Sequence, residues 1–268
     1  MRAEDRLADS GLAPDECPAR DARRPSRTKA ARFAPDARFA PDTRFAPDGR
    51  PLSLAWTYTP RELRADGVVH VVGVSLGLVG ALVLMVSAAL AGLAPAAQAA
   101  VGVYAAGLVG MLGVSAAYNM WPVGRFKWRL RRADHATIFL MIAGTYTPLV
   151  TLVGTDGFAF ALLAGIWLVA VAGAAIKLTL PGRFDRLAIG LYLALGWSGL
   201  MAYESVIAAL SPAALGLLAA GGVLYSLGVV FHVWRRLPFQ NAIWHGFVLT
   251  AASCHYGAIL WSVMAAGA

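Results

Sequence analysis

The sequence predicts an all-α fold, a polytopic membrane protein built as a seven-transmembrane helix bundle. Three observations predict it. The 268 residues are 58% hydrophobic and 14% charged, a balance that would leave a water-soluble domain covered in apolar patches. Apolar runs long enough to cross a ~30 Å hydrocarbon core recur along the chain. The basic residues beyond the first 66 gather only at alternate connections between those runs, one of them at a run's end.

The chain opens on a leader over residues 1–60, of which 1–50 are rich in Arg, Asp, Pro and Ala, with a hexapeptide repeat: ARFAPD at 31–36 and 37–42, then TRFAPD at 43–48. A proline every six residues interrupts helix, and the apolar content is too small to offset the entropy of ordering. The expectation is a disordered cytoplasmic leader followed by a transmembrane domain over 61–268. No charged start with a short apolar stretch and a small-residue cleavage site is visible, so the first apolar run is expected to direct insertion. Cys17 in the leader and Cys254 in a late apolar run give no disulfide framework.

The net charge of +8 divides unevenly. Residues 1–66 hold 13 Lys+Arg against 11 Asp+Glu, and the apolar remainder holds 10 against 4. The excess therefore lies between spans, where it sets topology, and the expected partners are membrane lipids and unidentified proteins rather than nucleic acid.

Seven runs are long enough to span: 67–92, 99–119, 135–153, 158–180, 187–208, 213–233 and 242–264. Each is Leu, Val, Ala and Gly-rich all round rather than along one stripe, as lipid on one side and packed helices on the other require. Gly73 and Gly77 form a small-xxx-small pair, read as packing within the bundle. The loop after the second run carries Arg125, Lys127, Arg129, Arg131 and Arg132. Lys177 at the end of the fourth run joins Arg183 and Arg186 in the region between the fourth and fifth, and Arg235 and Arg236 follow the sixth. Seven spans put all ten on the cytoplasmic side, with the N-terminus cytoplasmic and the C-terminus outside, in the cell membrane.

Polar residues gather at that same boundary. Ser115 and Asn119 end the second run, Asp134 and His135 open the third, and Asn241 and His245 open the seventh. Glu62, Asp66 and His70 lead into the first. Spacings of four put each set on one helix face, so three or four helices can aim polar groups at one point. Two readings stand side by side. The residues either bond to water and headgroups, as helix ends do, or face a wet cavity, as costly intramembrane polar groups do. Asp134 has a third role open to it, capping the helix it begins. His255 reads as a buried histidine bonded across helices, His232 as an interfacial anchor, and Glu204 as a group reaching outward.

At these residues the chain resembles the hemolysin III family, the bacterial branch of the progestin and adipoQ receptor superfamily. The motifs are DHATIFLMIAGTYTPL at 134–149, YLALGW at 192–197, GGVLYSLGVVF at 221–231 and AIWHGFVLTAASCHY at 242–256. The resemblance implies seven spans, a cytoplasmic N-terminus, and zinc held by three histidines with a nearby Ser and Asp. Ser115 and Asp134 occupy the Ser and Asp places, where they would serve catalysis. Of the three metal positions, however, Asn119 and Asn241 replace histidine and only His245 remains. An amide oxygen is a poor zinc ligand, so zinc is expected to be weak or absent. Substitute ligands are at hand in His70, Asp66 and His135, with Asp66 standing where the family tends to show Asn. Alternatively the two asparagines bridge each other and, with Ser115, Asp134 and His245, hold the spans together without metal.

Three functions follow. The first is a non-enzymatic sensor or modulator of membrane or transport state working through a cytoplasm-facing polar site. The second is a zinc-dependent hydrolase of lipid amides. The third, a pore-forming cytolysin, is disfavoured because seven apolar spans insert during synthesis and leave no soluble form to attack another cell.

Overall fold

The computed structural model describes residues 57–267 apart from 154–156, 181 and 183, so the leader repeat and Cys17 lie outside the described residues. Eight α-helices follow one another: α1 Pro60–Leu90, α2 Pro95–Met120, α3 Arg125–Val153, α4 Gly157–Thr179, α5 Asp185–Trp197, α6 Tyr203–Ala209, α7 Pro212–Val233 and α8 Gln240–Ala266. A 3₁₀ helix, Ser198–Ala202, joins α5 to α6. Among the described residues there is no strand.

The helix starts follow from local chemistry. Pro60, Pro95 and Pro212 each open a helix, where a missing N–H costs nothing. Thr59 and Glu62 form a reciprocal capping box on α1, the Thr59 amide donating to Glu62 Oε2 at 2.8 Å. Ser211 caps α7 by accepting from Ala214 N at 3.2 Å. The start of α8 is different: Phe239 caps it with φ +58°, in the left-handed region, and Phe184 does the same for α5 at +60°. Glu62 Oε1 holds the first of these turns by accepting from Phe239 N at 3.0 Å, which ties α1 to α8.

Among the described residues, six helices are long and apolar enough to cross a membrane: α1, α2, α3, α4, α7 and α8. Their outer faces leave Val71, Leu76, Leu82, Leu168 and Trp261 more than half exposed, which suits lipid and not water. Two expectations are corrected. Helix α3 begins at Arg125, ten residues before the expected span, so the basic residues 125–132 are helical rather than loop. The expected unbroken fifth span over 187–208 is instead α5, the 3₁₀ helix and α6 in succession, and does not count among the six.

The break has a visible cause. Tyr146 on α3 donates its hydroxyl toward Gly196 O at 2.7 Å and Leu195 O at 3.1 Å, and accepts from Gly199 N at 2.8 Å. Ser198 Oγ adds a bond to Leu195 O at 2.7 Å. Side chains thus satisfy the backbone groups that the interruption frees, the condition for irregular backbone away from water. Gly199 is needed there, because a Cβ would lie 3.0 Å from the Tyr146 ring.

Helices α1 to α4 pack in sequence order, and α8 packs between α7 and α1. One apolar core joins α1, α2, α3, α7 and α8 through Leu84, Tyr104, Met141, Ala214 and Ile259. A second, of Phe139, Ile166, Ala170 and Leu195, joins α3, α4 and α5. Gly73 and Gly77 face Leu112 of α2, so the small-residue pair serves packing inside the chain.

Candidate polar centre at the basic end of the bundle

Between the two cores runs a cavity of about 1240 Å³. Its walls pass from Arg131, Asp185 and Arg235 at the end bearing the basic residues to Leu149 and Leu210 at the other. Two polar clusters stand beside its basic end.

The first joins α1, α2 and α8. Asp66 and His70, one turn apart on α1, are 3% and 6% exposed. Asp66 Oδ1 lies 2.6 Å from His245 Nδ1, and its Oδ2 lies 3.7 Å from His70 Nε2. The two imidazole rings are tilted against each other with centroids 4.4 Å apart. Asn241, one turn before His245, donates through Nδ2 to Asn119 Oδ1 at 3.0 Å and to Asp66 Oδ2 at 3.3 Å. Asn119 in turn donates to Ser115 O at 2.9 Å. Lys127 closes the end of α2 by donating to Asn119 O at 2.9 Å and Trp121 O at 3.0 Å, the place where a cation complements free carbonyls.

Asp134, on α3, lines the cavity together with Ser115, His70, His245 and Arg131. Ser115, Asn119, Asp134, Asn241 and His245 are therefore gathered from three helices around one end of the cavity. His135 turns the other way. Its Nδ1 lies 3.9 Å from Asp185, so it stands in the second cluster and not with Asp66, His70 and His245.

That second cluster joins α3, α4 and α5. Asp185 accepts from Lys177 Nζ at 2.6 Å and Arg131 at 2.9 Å. Burial alone would raise its carboxyl, but Arg131 and Lys177 beside it hold it well below the usual carboxylate range. The Tyr192 hydroxyl donates to His135 O at 2.8 Å, fixing α5 on α3. These roles are absent from the loop-charge count, although Lys177 inside the end of an apolar run was a signal that a partner must exist.

Two lesser histidines are also placed. His255 Nε2 lies 3.3 Å from Leu218 O, a bond from α8 to α7. His232 lines the cavity, with its ring 4.8 Å from that of Trp244. It is not the interfacial anchor that its basic neighbours suggested, because α7 turns it inward. Glu62 serves the cap and the Phe239 turn rather than the face of Asp66 and His70, and Glu204 is exposed.

The fit of a metal is decided by donors. At positions 119, 241 and 245, Asn241 presents N–H donors to Asn119 and Asp66, and a cation needs lone pairs. Those three do not fit zinc. Among the described residues, the His, Asp and Glu groups whose ligand atoms converge within 4.8 Å are Asp66, His70 and His245.

Comparison with known proteins agrees with this architecture. The family model described as "Haemolysin-III related" matches residues 61–256. The chain is 33% identical over 206 residues to "Hemolysin-3" of Bacillus cereus, covering 76% of this chain and 93% of that protein. It is 41% identical over 130 residues to "Hemolysin-3 homolog" of Bacillus subtilis (strain 168), covering 48% of this chain and 60% of that relative's length. With the human "Monocyte to macrophage differentiation factor" it shares 32% identity over 165 residues, 59% of this chain and 67% of the other. No solved structure matches significantly.

Proposed function

We propose, from the premise that this chain belongs to the haemolysin III family, that it is a non-enzymatic integral membrane protein sensing or modulating membrane or transport state through its polar cavity. The observation that carries this reading is the bond between the two asparagines. Asn241 gives its amide to Asn119 and Asp66, so the positions from which the resemblance would have zinc activate a water are joined to each other. Zinc through positions 119 and 241 is weak or absent on this reading, so Ser115 and Asp134 are not served by an ion at the positions the resemblance implies.

What the residues do instead is hold helix ends. Asn119, Asn241 and Asp66 link α2, α8 and α1 at one level, while the cavity between them and the broken α5–α6 segment leaves room for the walls to move. The basic loops favour the cytoplasm for this end, with the chain in the cell membrane, its N-terminus inside and its C-terminus outside. Membrane lipids are then its first partners.

The test uses full-length protein in liposomes containing an amide-linked lipid. Product should stay at the level of empty liposomes, and spin labels on α5 and α7 should report a distance that changes with bilayer composition. Turnover that disappears in Ser115→Ala and Asp134→Ala would establish the hydrolase reading in its place. A label distance indifferent to the bilayer would remove sensing.

A further inference from the structure

We propose that Asp66, His70 and His245 form a relocated centre for a divalent transition-metal ion of the zinc class, with Asn241 and Asn119 as its outer shell. The inference concerns ligands on α1 and α8 and does not rest on the non-enzymatic reading.

The donor set is one carboxylate and two imidazoles, which suits borderline ions such as zinc and not calcium or magnesium, whose sites are built from oxygen. Around a four-coordinate zinc with bonds of ~2.0–2.2 Å, neighbouring donors sit roughly 3.3 Å apart. The Asp66 carboxylate presents one oxygen to each ring, Oδ1 at 2.6 Å from His245 and Oδ2 at 3.7 Å from His70, and these separations lie on either side of that spacing. The three ligand atoms all lie within 4.8 Å of one another.

A second observation points to a ligand independently. His70 is 6% exposed, and its Nε2 is buried without a hydrogen-bond partner, since Asp66 Oδ2 lies beyond bonding distance. A buried ring nitrogen without a partner costs free energy, and an ion shared with Asp66 and His245 would satisfy it. The way in is present, because His70 and His245 both line the large cavity while Asp66 stands behind them.

The asparagines acquire a role from this arrangement. Asn241 donates to Asp66 Oδ2 at 3.3 Å and is itself positioned by Asn119 at 3.0 Å. That is how outer-shell groups orient a ligating carboxylate. On this arrangement Asn119 and Asn241 act as support, and the carboxylate at 66 is the third donor beside His70 and His245.

The experiment reads metal content, not turnover. Full-length protein in detergent is stripped with chelator, equilibrated with zinc alone, freed of unbound ion and analysed by mass spectrometry. The wild type should retain about one zinc per chain. Asp66→Asn and His70→Gln should lose it, Asn241→Ala should weaken affinity roughly 10–100-fold, and Asn119→Ala should keep the stoichiometry with a smaller loss. A gain of signal guards against a variant that merely misfolds. Asp66→Cys titrated with cobalt should develop a thiolate-to-cobalt charge-transfer band absent from the wild type. A wild type that holds no zinc, zinc kept in full by both Asp66→Asn and His70→Gln, or no such band in cobalt-treated Asp66→Cys overturns the proposal. Failure here leaves the lipid-turnover result untouched, so the two conclusions are separable.

Discussion

Asp185 is the residue on which three helices agree, since Arg131 and His135 from α3 and Lys177 from α4 all face the carboxylate that begins α5. It lies ahead of the expected 187–208 span, and its pKa is held below the ordinary ~4 of a free carboxyl. A carboxyl depressed on folding contributes stability that is complete above the unfolded value and is lost as pH falls through the folded one. Asp185→Asn should therefore cost about 1–3 kcal/mol near neutrality, discounted from a fully buried pair because the side chain is 35% exposed. The gap from wild type should close as pH drops below ~4. Thermal unfolding followed by tryptophan fluorescence between neutral and acid pH checks this, and a gap independent of pH would deny the ion pairs their role. Residue spacing alone revealed part of this chemistry. The four-residue steps from Asp66 to His70, Ser115 to Asn119 and Asn241 to His245 placed each pair on a face. What spacing could not reveal was that Asp66 and His245, 179 positions apart, would meet, or that His135 would turn from Asp134's side toward Asp185. Those pairings depend on which helices pack together.

Among the elements, the departure from expectation is the segment from α5 to α6. Hydropathy reads 187–208 as one run because it weighs side chains and is blind to where a backbone ladder is interrupted. Gly196, Ser198 and Gly199 permit the interruption, and Tyr146, on another helix, makes it tolerable. The other long helices were legible from apolar length, and Pro60, Pro95 and Pro212 mark three of their starts. The extension of α3 back to Arg125 was not legible, because the basic stretch 125–132 can be helical once Arg131 and Arg132 find Asp185 and Leu178 O on neighbouring elements. Tyr146→Phe keeps the ring against Gly199 and removes only the hydroxyl, leaving the Gly199 amide without its acceptor. The expected loss is about 1–3 kcal/mol, with amide exchange accelerating first at 196–200. A loss under ~0.5 kcal/mol, ordinary for a neutral surface change, would mean that the 3₁₀ segment is held by other contacts.

At the scale of the whole molecule, the charges and the cavity point the same way. Arg131, Arg186 and Arg235 stand at one end of the cavity, with Asp66, His70 and His245 grouped nearby. The opposite end is lined by Leu149, Leu210 and Leu215. Basic residues in short connections are retained in the cytoplasm, so orientation of the bundle and exposure of its polar centre are one question. Single cysteines introduced at Gly92, Gly124, Arg236 and Gly267, in a chain carrying Cys17→Ser and Cys254→Ser, decide it in intact cells treated with a membrane-impermeant thiol reagent. Positions 92 and 267 should be labelled from outside, and 124 and 236 only after the membrane is opened. Placing the charges of an Arg-rich stretch such as 125–132, the start of α3, in the hydrocarbon core costs about 2.5–3.5 kcal/mol per charge even on insertion scales. No comparable charge restrains the 91–94 turn. The reverse labelling pattern would place the carboxylate and imidazoles outside the cell, where the ions and partners available to them are those of the surroundings and not of the cytosol.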